Sequence, residues 1–227
     1  MGKKTSAGLS TILALALAFA LLLGVCPGFA EQSDSATPLA AMEKLGLMPF
    51  FKGSSGYSLT ESLVCPVCQL VFEPENLSPD CDRVLTQYVQ EALEKKFRDR
   101  VIPQAIVARS YEQVPRDDLR DTALTLSQKV GKLLGADFMA VGTVWKYRER
   151  VGGSRAVSSP ASVAFALHLV DVRSGNIVWS KSFAQTQRSL TENLLDAKAF
   201  FDQGAKWLTA DELASYGVKE IIKEFPY

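Results

Sequence analysis

Between residues 134 and 187 the chain changes character at every second position. Val141, Thr143, Trp145 and Tyr147 alternate with Gly142, Val144, Lys146 and Arg148, the period of two that sends successive side chains to opposite faces of a strand. A polar break follows, and the pattern resumes. Phe165, Leu167 and Leu169 share one face of the next strand, and Ala164, Ala166, His168 and Val170 share the other. The segment 171–176 supplies the reversal, because Gly175 and Asn176 accept the positive backbone angles of a tight turn. Ile177, Trp179 and Phe183 then return along a third strand. The pattern predicts a three-stranded antiparallel meander.

Upstream the period lengthens. Val84, Leu85, Tyr88, Val89, Ala92, Leu93 and Phe97 fall on one helical stripe. Ser78-Pro79-Asp80 opens it with a hydroxyl cap, a proline at the first helical position and a carboxylate at the positive dipole end. A second helix is expected from a cap at Asp117 through Leu119, Ala123, Leu126, Val130 and Leu133, ending at Gly135. Residues 45–51 read as a first strand stopped near Pro49. Residues 101–107 read as a second strand, at a sheet edge because Pro103 cannot donate to a ladder. Downstream, 191–201 reads as a third helix, and Thr209-Ala210-Asp211-Glu212 is a capping box that opens a fourth. The order predicts an α+β fold: a mixed sheet of about five strands, ending in the meander, with helices packed on it.

Composition narrows the class. The 227 residues carry 25 basic and 25 acidic groups and 47% apolar content, which suits one globular domain with a real core. No basic excess points to nucleic acid. Residues 1–30 stand apart: Lys3 and Lys4 precede an apolar run over 12–25, then Pro27 and the small residues Gly28 and Ala30. That is the form of a cleaved export signal, and the run is short of the roughly 20 residues a membrane span needs. A second reading shares the stretch. Leu23-Gly24-Val25-Cys26 resembles the lipobox of bacterial lipoproteins, with Cys26 as the lipidated residue, although Val25 replaces the small residue wanted there. Both readings export the chain. The expected division is a signal peptide over 1–30, a flexible leader over 31–44 and a single α+β envelope domain over 45–227.

The remaining cysteines, Cys65, Cys68 and Cys81, are the sharpest chemical feature. An oxidising compartment favours a structural disulfide among them, and closing a loop of about 15 residues is worth roughly 3 kcal/mol in the chain-entropy model. The alternatives are a thiol-redox pair, disfavoured because the residues after Cys68 do not open a helix, and a metal site. Zinc wants four ligands, and the lone His168 stands far from the thiols in sequence. His168 therefore reads as a buried histidine bonded to a hydroxyl or backbone group. Trp145, Tyr147, Trp179 and Trp207 read as core aromatics, and Lys146, Arg148, Glu149 and Arg150 as a solvated strand end. No residue earns a catalytic, cofactor-binding or metal-ligating assignment.

Three segments carry a resemblance: Leu47-Met48-Pro49-Phe50; Leu134-Gly135-Ala136-Asp137 leading into Val141-Gly142-Thr143-Val144; and 169–179, an apolar strand followed by Asp171, Gly175 and Trp179. Over residues 45–182 the chain resembles a superfamily of bacterial envelope domains. It takes in the curli-secretion lipoprotein CsgG, the N-terminal domain of TolB and the lipoprotein activators of penicillin-binding proteins. The resemblance implies a non-enzymatic domain that binds an envelope protein partner, with homo-oligomeric rings among some members. Pore-forming members insert hairpins whose strands span about 9–11 residues, and the break over 151–160 is too short for that. The expectation is an exported accessory protein of the periplasm or the periplasmic face of the outer membrane, engaged in protein binding or assembly. It has no cofactor and no nucleic-acid partner, and it is membrane-anchored if Cys26 is lipidated. The alternative function is a thiol-redox or metal-binding protein using Cys65, Cys68 and Cys81.

Overall fold

Residues 42–52, 63–65, 67–69, 71–72, 77–117, 120–154, 156–187 and 206–226 are described in the computed structural model. In chain order the elements are strands β1 (Leu45–Leu47), β2 (Phe51–Lys52), β3 (Leu63–Val64) and β4 (Val71–Phe72), and helices α1 (Cys81–Phe97), α2 (Gln104–Gln113) and α3 (Ala123–Leu134). Strands β5 (Phe138–Arg148), β6 (Val151–Gly152), β7 (Val157–Ser159), β8 (Ser162–Asp171) and β9 (Ile177–Thr186) follow, and then helix α4 (Ala210–Lys223). The main sheet has five strands. β5, β8 and β9 form the expected antiparallel meander, while β1 and β2 both run parallel to β5. The fold is α+β, as the periodicity predicts.

Alternation along the strands divides the interior in two. Leu45, Leu47, Phe138, Ala140, Phe165, Leu167 and Leu169 pack beneath α1 and α4, joined by Leu85, Val89 and Leu93 of the first helix and Leu213 and Val218 of the last. Met139, Val141 and Val170 point the other way, against Val107 of α2 and Leu126 and Val130 of α3. The sheet is the middle of three layers. No helix among the described residues is long and apolar enough to cross a membrane.

Four expectations are corrected. Residues 101–107 are not a strand. Val101 makes a single bridge to Leu45, and the chain then turns into α2 directly after Pro103, whose φ of −55° suits a helix start. α1 begins at Cys81, with Asp80 rather than Ser78 at the cap position; the Asp80 carboxylate pairs with Arg83 instead of a backbone amide. α3 begins at Ala123, not near Asp117. Thr122 accepts the Thr125 amide at 3.2 Å and forms the cap. Tyr147 does not share the face of Val141 and Thr143. A bulge at Trp145, between the pairs Val144–Phe165 and Lys146–Ala164, inserts one residue and sends Tyr147 to the α1/α4 side. The break over 151–160 holds a small hairpin of β6 and β7. The signal segment, the leader through residue 41 and the helix expected over 191–201 lie outside the described residues.

The meander turn is built as its sequence suggests. The Asp171 carboxylate accepts the Ser174 amide at 2.7 Å, its carbonyl accepts the Gly175 amide at 2.8 Å, and Gly175 takes a φ of 76°. This turn fixes the register of β8 against β9, and that register sets Ser180 opposite His168.

Candidate metal centre

Cys65 and Cys68 lie in the turn of a short hairpin. β3 and β4 pair antiparallel, Leu63 opposite Phe72 and Val64 opposite Val71. Gln69, directly after Cys68, takes a φ of 60°, and its amide donates to the Cys65 carbonyl at 3.0 Å. Left-handed backbone is uncommon for glutamine, and here it closes a turn that brings both sulfurs to one place. Val67, between the cysteines, is buried in the core beneath α2 and α3 together with Cys65. Burial of these two side chains seats the hairpin on that face of the sheet.

His168 reaches the same point from the middle of β8, between Val141 of β5 and Ser180 of β9. Its Nε2 stands 3.5 Å from Cys65 Sγ across 103 positions of sequence. Its Nδ1 is 2.8 Å from Ser180 Oγ. Cys65 Sγ also lies 3.7 Å from Thr143 Oγ1 and receives the Cys68 amide at 3.5 Å. The two sulfurs and a ring nitrogen of His168 all fall within 4.8 Å of one another. Cys65 and His168 are each 1% exposed, whereas Cys68 is partly buried.

Burial by itself would push the Cys65 thiol up. Against it act the hydrogen bond to His168, the amides of Cys68 and Val67 and the Thr143 hydroxyl, and together they bring it down to about 6. Two proton arrangements satisfy His168. In one, Nε2–H donates to the thiolate and the Ser180 hydroxyl donates to Nδ1. In the other, Nδ1–H donates to Ser180 Oγ and the Nε2 lone pair faces the sulfurs, the arrangement of a metal-ligating imidazole.

Cys81 is not part of this group. As the first residue of α1 it packs among Leu85, Phe138 and Phe165 on the opposite face of the sheet, and burial there lifts its thiol to about 11. None of the three cysteines forms a disulfide. The tie expected between Cys81 and the Cys65–Cys68 turn is not made, because the sheet separates them. His168, not Cys81, completes the trio. The sequence reading of His168 as a buried histidine bonded to a hydroxyl describes its Ser180 side; it missed the sulfur side.

The other singled-out residues have structural roles. Trp145 is buried with Ala164 and Ala166, and Trp179 packs its ring 4.9 Å from that of Phe225. Tyr147 donates its hydroxyl to Asp211 at 2.5 Å, and burial, reinforced by this bond, pushes its phenol well up. The charged end of β5 is tied down more than expected. Glu149 accepts the Ala210 amide at the start of α4 at 2.9 Å, and Arg150 donates to the Trp207 carbonyl.

Residues 82–184 match the family described as peptidoglycan-synthase activator LpoB. The match runs from the second residue of α1 to the eighth of β9, so it takes in His168 and Ser180 and leaves out Cys65 and Cys68. An activator acts on the catalysis of another protein, in agreement with the expectation of no enzymatic activity. Of the branches named by the resemblance, only the synthase activators figure in this match. No curated protein matches the chain. Among solved structures, the chain is similar to the PelC dodecamer from Paraburkholderia phytofirmans, at 13% identity over 80% of this chain and 85% of that one, with a TM-score of 0.43. It is similar to lipoprotein GNA1162 from Neisseria meningitidis, at 16% identity over 81% and 99%, TM-score 0.44. It is also similar to the LpoB C-terminal domain from Salmonella enterica, at 15% identity over 64% and 84%, TM-score 0.37. At this distance none of the three speaks to function.

Proposed function

We propose that this chain is an exported accessory protein of the bacterial envelope that binds and activates a peptidoglycan synthase. The observation that carries the reading is the family match over residues 82–184, which spans α1, both helices of the opposite face and almost the whole meander. The two packed cores on either side of the sheet support it, because they make a body rigid enough to dock without large rearrangement. The protein works from the periplasmic face of the outer membrane if Cys26 carries lipid, and as a periplasmic protein if the signal is cut after Ala30. Either form is compatible with self-association.

Purified chain added to the peptidoglycan synthases of its own cell tests the reading directly. The expected result is a severalfold rise in glycan polymerisation or cross-linking by one synthase, with co-purification of the pair. If every synthase runs at its basal rate with the chain present in excess, the proposal fails. The intact mass of the protein taken from envelopes separates cleavage after Ala30 from lipidation at Cys26, and native mass gives the assembly state.

A further inference from the structure

We propose that Cys65, Cys68 and His168 form a binding site for one divalent thiophilic cation of the zinc class, with a fourth coordination position left to solvent or a small ligand. The inference goes beyond the accessory reading: two of the three ligands precede the matched segment 82–184, and metal binding does not follow from synthase activation.

The spacing of the donors carries the argument. Zinc sits about 2.3 Å from a thiolate sulfur and about 2.0–2.1 Å from an imidazole nitrogen in tetrahedral sites. Those bond lengths place a sulfur and a nitrogen that share the ion about 3.6 Å apart, and two sulfurs about 3.8 Å apart. Cys65 Sγ and His168 Nε2 are already 3.5 Å apart, and no donor pair in the trio exceeds 4.8 Å. Closing the remainder takes an adjustment of roughly an ångström, and Cys68 is the one member of the trio that is only partly buried.

The surroundings are those of a held ligand set. Ser180 Oγ accepts or donates at His168 Nδ1, and in the accepting role it presents the Nε2 lone pair to the sulfurs. The Cys68 amide donates to Cys65 Sγ at 3.5 Å and Thr143 Oγ1 lies 3.7 Å from it, so the sulfur is held in place from two sides. The left-handed residue after Cys68 holds the two cysteines in one turn, a strained geometry that a packed loop could avoid with a glycine.

Charge and softness choose the ion. Two thiolates cancel the two charges of a divalent cation, so the loaded site carries no net charge into an interior where Cys65 and His168 are almost fully enclosed. A monovalent ion would leave one uncompensated negative charge there. Sulfur donors select against magnesium and calcium, which take oxygen ligands. The site would also be lost by oxidation of Cys65 and Cys68 to a disulfide, which makes the redox state of these two thiols part of the test.

The full chain, purified with its thiols protected and then freed of metal, is titrated with zinc and with cobalt(II) as the optical probe. One tightly held equivalent of zinc is expected. Cobalt is expected to give intense four-coordinate ligand-field bands with sulfur-to-metal charge transfer, and zinc to displace it. Cys68→Ser, a change at the partly buried turn position, is expected to abolish stoichiometric binding while the circular dichroism stays that of the parent chain. Cys81→Ser keeps binding intact. Ser180→Ala is expected to weaken binding roughly 10- to 100-fold, through loss of the group that orients His168. His168→Asn adds a further check if it folds, but Cys68→Ser decides. Four results overturn the proposal: cobalt that stays six-coordinate with no sulfur charge transfer, binding that survives Cys68→Ser, capture of copper(I) with exclusion of zinc, or metal-free protein in which Cys65 and Cys68 are isolated as a disulfide and which takes up no zinc after reduction.

Discussion

Two cysteines, buried to the same degree on opposite faces of one sheet, behave in opposite ways. Cys65 and Cys81 are 1% and 0% exposed. Cys81 lies among leucines and phenylalanines under α1 and α4, and burial drives its thiol up to about 11. Cys65 pays the same kind of desolvation cost, yet His168, two backbone amides and Thr143 bring it down to about 6. Enclosure alone therefore does not decide the state of a buried thiol; the donors aimed at it do. The α1/α4 face is an apolar interface that holds the domain together. The α2/α3 face sets two buried polar groups, Thr143 and His168, around one sulfur, with the exposed Ser180 bonded to the far ring nitrogen of His168. One face serves stability, and the other is equipped to hold something.

The largest effect that would break this contrast lies on the first face. Phe165 is fully buried, with its ring 6.1 Å from that of Phe50 and 5.7 Å from that of Phe183. Gly142 lies under the Phe50 ring, where any Cβ would meet it at 2.3 Å, so the layer has no slack to refill a hole. Phe165→Ala is expected to cost roughly 3–5 kcal/mol in chemical denaturation. A loss below about 1 kcal/mol would mean that the stabilising core is elsewhere.

The meander was the most legible part of the chain, because a strict period of two and a turn built from Asp171, Gly175 and Asn176 leave little freedom in register. The helical stripe of α1 and the capping box at Thr209 were equally plain. What failed was local ambiguity settled by distant partners. Residues 101–107 have the composition of a strand, but the sheet edge beside Leu45 offers one bridge only, and Pro103 suits a helix start better. The bulge at Trp145 leaves no periodic trace, since either phase of the alternation is apolar enough to be buried. The metal centre was half visible. Cys65-Pro66-Val67-Cys68 stands out in the sequence, while His168 is 103 positions from Cys65, a separation that no local spacing connects. One signal was available: pairing β8 with β9 across the turn at 171–176 puts Ser180 opposite His168, and so marks a buried histidine already oriented through one ring nitrogen. What no pattern supplied was the packing of the β3–β4 hairpin on that face, which depends on Val67.

A second, smaller effect sharpens the contrast through pH. In reduced, metal-free protein the Cys65 pKa is lowered on folding, so its contribution to stability is complete above the unfolded thiol range near 9 and is lost as pH falls through about 6. Cys81 has the opposite sign. Its folded pKa is raised, so its contribution is complete below about 9 and lost as pH rises toward about 11. Stability is expected to climb between pH 6 and 9 and to fall between 9 and 11, with one thiol contributing no more than about 1.4 kcal/mol per pH unit in each window. Urea midpoints measured across both windows check this. Cys65→Ser should flatten only the lower limb and Cys81→Ser only the upper one. If both variants flatten the same limb, the two thiols are not in separate environments.

The smallest expected effect asks whether polar groups on the α1/α4 face act only at helix ends. Thr209 accepts the Glu212 amide at 3.1 Å, and Glu212, itself paired with Lys206, accepts the Thr209 amide at 2.9 Å. Glu149 takes a third amide, that of Ala210, and the Asp211 carboxylate holds Tyr147. The first turn of α4 is therefore satisfied by several side chains at once, and removing one leaves the rest in place. Thr209→Ala is expected to cost about 1 kcal/mol, the ordinary value of a helix cap, with the denaturant slope unchanged. Because the cap touches neither thiol, the climb in stability between pH 6 and 9 should keep the parent's steepness. A cap variant that also altered that slope would show that the sheet transmits strain between its faces, and the two sides could no longer be treated as independent.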